Sequence, residues 1–247
     1  MPGRSCTHWR IPRLNSVASI LILAFPDQFA ITAAGTIGGT FMPLSRRALL
    51  LALPLPIVAA FQPARGAPEA GPSALIERFY ADLLAVMKEA KRLSFAARYD
   101  RLVPSVARTF DLGLMTRIAI GPGWAQIAAE QQQRLTDVFS RYTISVYANR
   151  FDDYGGERFE VDAKPNTSPN GIIIASRIVK ANGEPVPLNY LMRQDGAGGW
   201  KVVDVYLSGT ISELATRRSE FVAVLQRAGA DGLVRMIEQR TAALRMG

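Results

Sequence analysis

Residues 171–180 read Gly171-Ile172-Ile173-Ile174-Ala175-Ser176-Arg177-Ile178-Val179-Lys180. The run is rich in β-branched residues, which pack well on a pleated surface and are stiff in a helix. Turn-forming segments bound it, Pro165–Gly171 before and Ala181–Pro185 after. Together these predict a strand over Ile172–Lys180. Reading outward, Phe159–Ala163 is a strand candidate upstream. Downstream, Pro187 and Leu188 lead into Tyr190-Leu191-Met192, and Trp200–Leu207 closes the set after the turn Asp195-Gly196-Ala197-Gly198-Gly199. Four consecutive strands with short links predict an antiparallel meander. If Val203, Val205 and Leu207 face the core, Asp204 faces away with Trp200 and Val202.

The flanks are helical. Thr210-Ile211-Ser212-Glu213 has the spacing of a capping box. Leu214, Phe221, Val222 and Leu225 follow as one apolar face, Gly229 ends that helix, and Asp231 starts a last one. Upstream, residues 127–149 place Leu135, Val138, Phe139, Tyr142 and Val146 on one helical face. Gly121-Pro122-Gly123 is a break. Asp111 is placed to cap a short helix holding Leu114, Met115 and Ile118. Pro104 limits any helix before it. Ser73 is placed to cap a long amphipathic helix from Ala74 to about Ala97. Helices, then strands, then helices is an α+β order. The expected architecture is a four-stranded curved antiparallel sheet with several helices covering one face. Such a cone can hold an apolar ligand.

The N-terminal region reads as an address. Ser45-Arg46-Arg47 precedes an apolar run from Ala48 to Phe61, and small residues follow at Ala64 and Gly66. This is the layout of a secretory signal, cut before Ala67 or before Phe61. The paired arginines fit either the general secretory or the twin-arginine route. Met42 lies just before it. Residues 1–41 are thus expected to be an over-extended start, 42–66 the signal peptide, 67–73 a Pro- and Gly-rich lead-in, and 74–247 one domain. Val17–Ala34 is apolar but interrupted by Pro26, Asp27 and Gln28, short of the about 20 residues a spanning helix needs.

Removing such a leader changes the chemistry available. The only histidine, His8, and the only cysteine, Cys6, lie within it. Imidazole and thiolate mechanisms are then excluded. Six arginines and one acid also leave, so the net charge of +8 falls by five. A mildly basic domain without a dense basic stripe does not point to nucleic acid. It permits transient contact with anionic membrane surfaces.

Few residues are left to carry catalysis. No Gly-x-Ser-x-Gly elbow and no phosphate loop occurs. Asp204 would become a base if it sat in a cavity, with Tyr190 or Tyr206 as acid, or else a carboxylate bonded to neighbouring backbone. Asp152-Asp153 beside Gly155 reads as a solvated loop rather than a metal site, since a calcium loop needs more oxygen ligands. Arg217-Arg218 is either a solvated helix face or a grip for a phosphate or a partner carboxylate. Phe110, Met115, Trp124, Tyr142, Tyr147, Phe151, Phe159, Tyr190 and Met192 are core or pocket lining.

Specific residues resemble a known family. Trp200-Lys201-Val202-Val203-Asp204-Val205, then Gly209, then Arg217-Arg218-Ser219-Glu220-Phe221 resemble the end of the MlaC, or toluene-tolerance auxiliary, family. Pro104, Phe110-Asp111, Gly121, Trp124 and the Gln132–Phe139 helix resemble its N-terminal half. Four further stretches resemble the hopanoid-biosynthesis-associated branch, HpnM: Tyr147–Phe151, Gly156–Val161, Leu188–Arg193 and Gly209–Leu214. The resemblance implies an NTF2-like domain with an internal lipid pocket. It implies a periplasmic carrier working with an inner-membrane lipid transporter of the ABC type, and no catalytic residue, metal or cofactor. The cargo would be a hopanoid or a phospholipid. On this reading Trp124, Tyr142, Val146, Tyr190, Met192, Val203 and Val205 are expected to line the pocket, and Arg217 and Arg218 to meet a headgroup or a partner. An NTF2-like enzyme using Asp204 and a filled-core envelope adaptor are the rival expectations.

Overall fold

The structure is a computed structural model that describes residues 71–246. The signal, the start at Met42, both cleavage positions and the stretch Val17–Ala34 lie outside the described residues.

Helix α1 runs Pro72–Glu89 and buries Ile76, Phe79, Tyr80, Leu83, Val86 and Met87. Gly71 precedes it and Pro72 supplies the preset φ of a first helical residue. Ser73 is therefore not its cap; its hydroxyl donates to the carbonyl of Asp162 at 3.2 Å. Nor does the helix continue to Ala97. A short 3₁₀ turn over Ala90–Arg92 ends it, and Ser94 caps α2, Phe95–Thr109, by accepting the Ala97 N–H at 3.2 Å. Pro104 lies inside α2 rather than bounding it. One residue on, Ser105 donates to Asp82 of α1 at 2.6 Å, and Arg108 pairs with the same carboxylate at 2.5 Å. Those bonds hold the helix against α1 around the proline. Asp111 caps α3, Leu112–Ile120, by accepting the Leu114 N–H at 2.9 Å, as expected. Helix α4 spans Ala129–Arg150.

Among the described residues the strands number seven. They are β1 Arg158–Val161, β2 Asn166–Ser168, β3 Gly171–Ile174, β4 Ser176–Val179, β5 Pro185–Gln194, β6 Trp200–Leu207 and β7 Ile211–Ser212. All pairings are antiparallel, and β5 is the central strand. The expectation of four strands is corrected in two ways. Short β2 forms within the segment Pro165–Gly171 that reads as a turn, and β7 within the segment that reads as a capping box. The run Ile172–Lys180 is interrupted at Ala175, although its register against β5 is continuous, with Ile174 opposite Tyr190 and Arg177 opposite Pro187. One side chain and one backbone bond to the segment after β1 replace the ladder to β5 there. The Ser176 N–H donates to Asn189 Oδ1 at 3.2 Å, and the Ala175 carbonyl accepts from Asp162 at 2.9 Å.

Strand β6 departs from simple alternation. Asp204 pairs with Leu191 but Val202 pairs with Met192, which leaves Val203 as an extra, bulged residue. The bulge switches parity. Val205 and Leu207 face the core as expected, but further up the strand it is Val202 and Trp200 that join them, not Val203.

Strand β7 runs into α5, Glu213–Met246, which is broken at Gly229 (φ 66°). Its cap is Ser212, which accepts the Ala215 N–H at 2.9 Å, rather than Thr210. The core lies between the helices and the inner face of the sheet, where Val186, Leu188, Tyr190 and Met192 alternate inward from β5. Phe79, Tyr80, Phe110, Tyr147, Phe151, Phe159 and Tyr190 form a continuous aromatic cluster with centroids 4.4–6.5 Å apart. Such pairs add about 0.5–1.5 kcal/mol each beyond area burial. No described helix is long and apolar enough to cross a membrane.

Candidate functional site

One face of α4 recurs at helical spacing as Phe139, Thr143, Val146, Tyr147 and Arg150. This stripe faces Leu188 of β5 and Val205 and Leu207 of β6 across a cavity. Phe110 and Met115 wall it beside α2 and α3, Phe151 stands just after α4, and the first turn of α5 adds Glu213, Leu214 and Arg217. The space among them that a water-sized sphere can occupy is about 70 Å³. The wall is apolar except at one corner.

That corner is charged and ordered. Arg217 pairs with Glu213 at 3.1 Å, one turn along the same helix, and both side chains are mostly buried. Arg217 also donates to the hydroxyl of Tyr142 at 3.1 Å and lies over its ring. Burial works against the charge of Arg217, but Glu213 and the Tyr142 hydroxyl outweigh it and hold its pKa above the ordinary value. Burial lowers that of Arg150, against the opposing pull of Glu213. The cavity thus offers hydrocarbon contact along its length and charged hydrogen-bonding groups at one place.

Asp204 sets where that corner lies. Its Oδ1 accepts from the Val205 N–H at 2.8 Å and the Leu214 N–H at 3.3 Å, and its Oδ2 from the Ser212 hydroxyl at 2.5 Å. The carboxylate therefore seats the N-terminus of α5 on β6. Desolvation raises its pKa, and these three hydrogen bonds oppose the rise. It is not a wall residue. The backbone-bonded reading, rather than the catalytic base, describes it.

The two adjacent arginines diverge. Arg217 faces the cavity, whereas Arg218 turns to α3 and donates to the Ile118 carbonyl through Nε at 3.0 Å and Nη2 at 2.8 Å. It thereby satisfies one of the carbonyls that a helix C-terminus leaves open. Of the residues expected to line the pocket, Val146 and Val205 are in the wall. Tyr142 reaches it through Arg217. Tyr190 and Met192 are fully buried behind it, Val203 is the bulged residue, and Trp124 packs half-buried against the core. Thr143, Arg150 and Glu213 went unrecognised. The signal for the first two was there: polar residues recurring on the apolar face of α4. Glu213 was read as part of a capping box. Asp153 pairs with Lys91 at 3.3 Å and accepts its own loop's Tyr154 N–H at 2.7 Å. Among the described residues no cluster of three or more metal ligands exists.

The model of the MlaC protein family matches residues 77–239, which contain every wall residue of the cavity. The chain belongs to the MlaC family. A solved structure similar to this MlaC-family chain is the phospholipid-binding protein from Ralstonia solanacearum in complex with a phospholipid, at 1.53 Å resolution. The two share 27% identity with a TM-score of 0.62, over 71% of this chain and 99% of that one. No curated protein matches.

Proposed function

We propose that this chain is a periplasmic lipid carrier that takes a membrane lipid from one membrane to the other in partnership with an inner-membrane transporter. The observation that carries the reading is the cavity: apolar walls with a single charged corner. A lipid has that division of chemistry. Each CH₂ left in water costs about 0.8 kcal/mol, so a free monomer is rare, and an apolar enclosure removes the cost. The headgroup would sit at Arg217, Glu213 and Arg150, where an arginine suits a phosphate oxygen. The NTF2-like cone belongs with this reading, as does the export signal at 42–66, which would deliver the domain to the aqueous gap between membranes.

The phospholipid-bound neighbour favours a phospholipid as cargo. A second reading, a hopanoid, has its own support. The stretches resembling the HpnM branch supply Tyr147, Arg150, Phe151, Leu188, Glu213 and Leu214 of the cavity wall.

The test is to express the full chain in a Gram-negative host, purify the exported form without detergent, and identify extracted lipids by mass spectrometry. Stoichiometric intact lipid is expected. An extract free of lipid from native protein, with no uptake on mixing with vesicles, overturns the proposal. Turnover of the lipid that Asp204→Asn abolishes would establish the enzyme instead.

A further inference from the structure

Behind the cavity wall lies a polar group without a partner. Tyr190 is fully buried on β5, flanked by Leu188 and opposite Val205, both wall residues. Phe110, another wall residue, stands edge-on to its ring at 6.4 Å. Its hydroxyl makes no hydrogen bond among the described residues. An unpaired buried hydroxyl is costly, and each one in a native fold calls for a physical reason.

Two other hydroxyls converge on it. Tyr80 and Tyr147 both act electrostatically on Tyr190. Tyr80 is committed: it donates to Ser176 Oγ at 2.7 Å, and Ser176 passes its own proton to the Leu188 carbonyl. Tyr147 is at once the neighbour of Tyr190 and part of the cavity wall. Burial pushes the pKa of all three phenols up, so they stay neutral and serve as hydrogen-bonding groups, not bases. Around the rings stand Phe79, Phe110, Phe151 and Phe159, with Ser176 bonded to Tyr80 and the charges of Glu213 and Arg150 acting on Tyr147. One side chain, Tyr147, therefore links this hydroxyl group to the empty space. At about 70 Å³ the enclosed space is too small for a lipid as it stands. Admitting a lipid requires wall side chains to move, and Tyr147 is among them.

We propose that Tyr190, with Tyr147 and Tyr80, forms a hydrogen-bonding subsite at the inner end of the cavity for a hydroxyl carried on the hydrophobic part of the lipid. The proposal rests on the carrier reading and deepens it. A plain hydrocarbon end leaves Tyr190 unpaired in a dry site. A hydroxyl there gives it both a donor and an acceptor. A site with buried polar groups rejects the analogue that lacks their partner.

The experiment uses two probes, a phosphatidylglycerol bearing a mid-chain hydroxystearoyl tail and the same lipid with a plain stearoyl tail. Each is offered in vesicles to the full exported chain and to its Tyr190→Phe variant, and bound lipid is quantified in competition. The native chain is expected to prefer the hydroxylated lipid by roughly 3- to 10-fold, the worth of one neutral hydrogen bond. Tyr190→Phe is expected to bring the ratio to one while still binding the plain lipid. Equal binding of both probes by the native chain overturns this subsite and leaves the carrier reading standing. A preference that survives Tyr190→Phe also overturns it. Binding of neither probe overturns both.

Discussion

Arg217 lies over the ring of Tyr142, its guanidinium carbon 5.0 Å from the centroid, and donates to the same residue's hydroxyl at 3.1 Å. One cation thus joins the start of α5 to α4 through both the face and the edge of a single aromatic. It also holds Glu213, so three side chains are satisfied together.

Breaking that set on one side should cost more than removing it. Arg217→Leu takes from the mostly buried Glu213 the cation it pairs with and leaves Arg150 to act on it, and a loss of about 1–2 kcal/mol in urea unfolding is expected, less than for a fully buried pair because both groups keep some solvent. Glu213→Leu combined with Arg217→Leu should recover most of the loss. A double variant less stable than either single one would contradict the coupling.

Asp204 separates charge from geometry. Asp204→Ala strands the Leu214 N–H and the Ser212 hydroxyl and should cost about 1–3 kcal/mol. Asp204→Asn keeps an acceptor and should cost less, with lipid uptake unchanged. The pH dependence has a definite sign. A carboxyl whose folded pKa is raised binds its proton more tightly folded than unfolded, so its contribution to stability is largest at low pH and declines as pH rises from the ordinary value of 3.8 through the raised one. Native chain minus Asp204→Asn, measured by thermal melts, should fall across that window and be flat above it.

The two buried tyrosines should respond oppositely to loss of their hydroxyls. Tyr190→Phe removes an unpaired group and is expected to be neutral or stabilising by up to about 1 kcal/mol. Tyr80→Phe breaks the bond to Ser176 and should destabilise by about 1 kcal/mol. Melting temperatures of the two variants, in the absence of lipid, make the comparison.

Filling the cavity should abolish loading without unfolding the protein. Val146→Trp projects a ring from α4 into the empty space. Co-purifying lipid is expected to drop several-fold, while the melting temperature stays within a few degrees, because a half-buried site tolerates added volume better than a close-packed core does. Undiminished lipid in this variant would place the cargo elsewhere.

Gly171 tests the sheet. Its φ is 140°, and a Cβ there would sit 2.3 Å from the Met192 carbonyl oxygen on the neighbouring strand. Gly171→Ala should cost about 3 kcal/mol or more. Gly183, also at positive φ but in open space, should cost only about 1 kcal/mol on the same change. Chemical denaturation of both distinguishes packing from backbone strain.

Much of the fold was legible in local chemistry, and the misses share a cause. Helix α4, strand β6 and the break at Gly229 follow from period and turn residues. The bulge at Val203 does not, because Trp200–Leu207 alternates as well in one register as in the other, and only pairing with β5 chooses. Ala175 interrupts a run whose residues all favour a strand, through bonds from Asn189 and Asp162 that are distant in sequence. The cavity was harder still. Arg217 and Arg218 are the same residue type in adjacent positions, and one turns to the interior while the other caps α3. Only the angle of α5 on the sheet, set by Asp204, decides between them.

The break at Gly229 has a mechanical corollary. Before it, α5 is fastened to β6 through Asp204 and to α3 through Arg218. After it, α5 is fastened to α4, by Asn149 donating to the Leu244 carbonyl at 2.9 Å and by ion pairs Arg134–Asp231 and Arg141–Glu238. Because Arg217 also ties the first half to Tyr142, helix α4 is held by both halves of one broken helix. The Arg240–Glu220 pair ties the two halves to each other across the break. One left-handed glycine at 229 is what lets a single helix grip the sheet, α3 and α4 together.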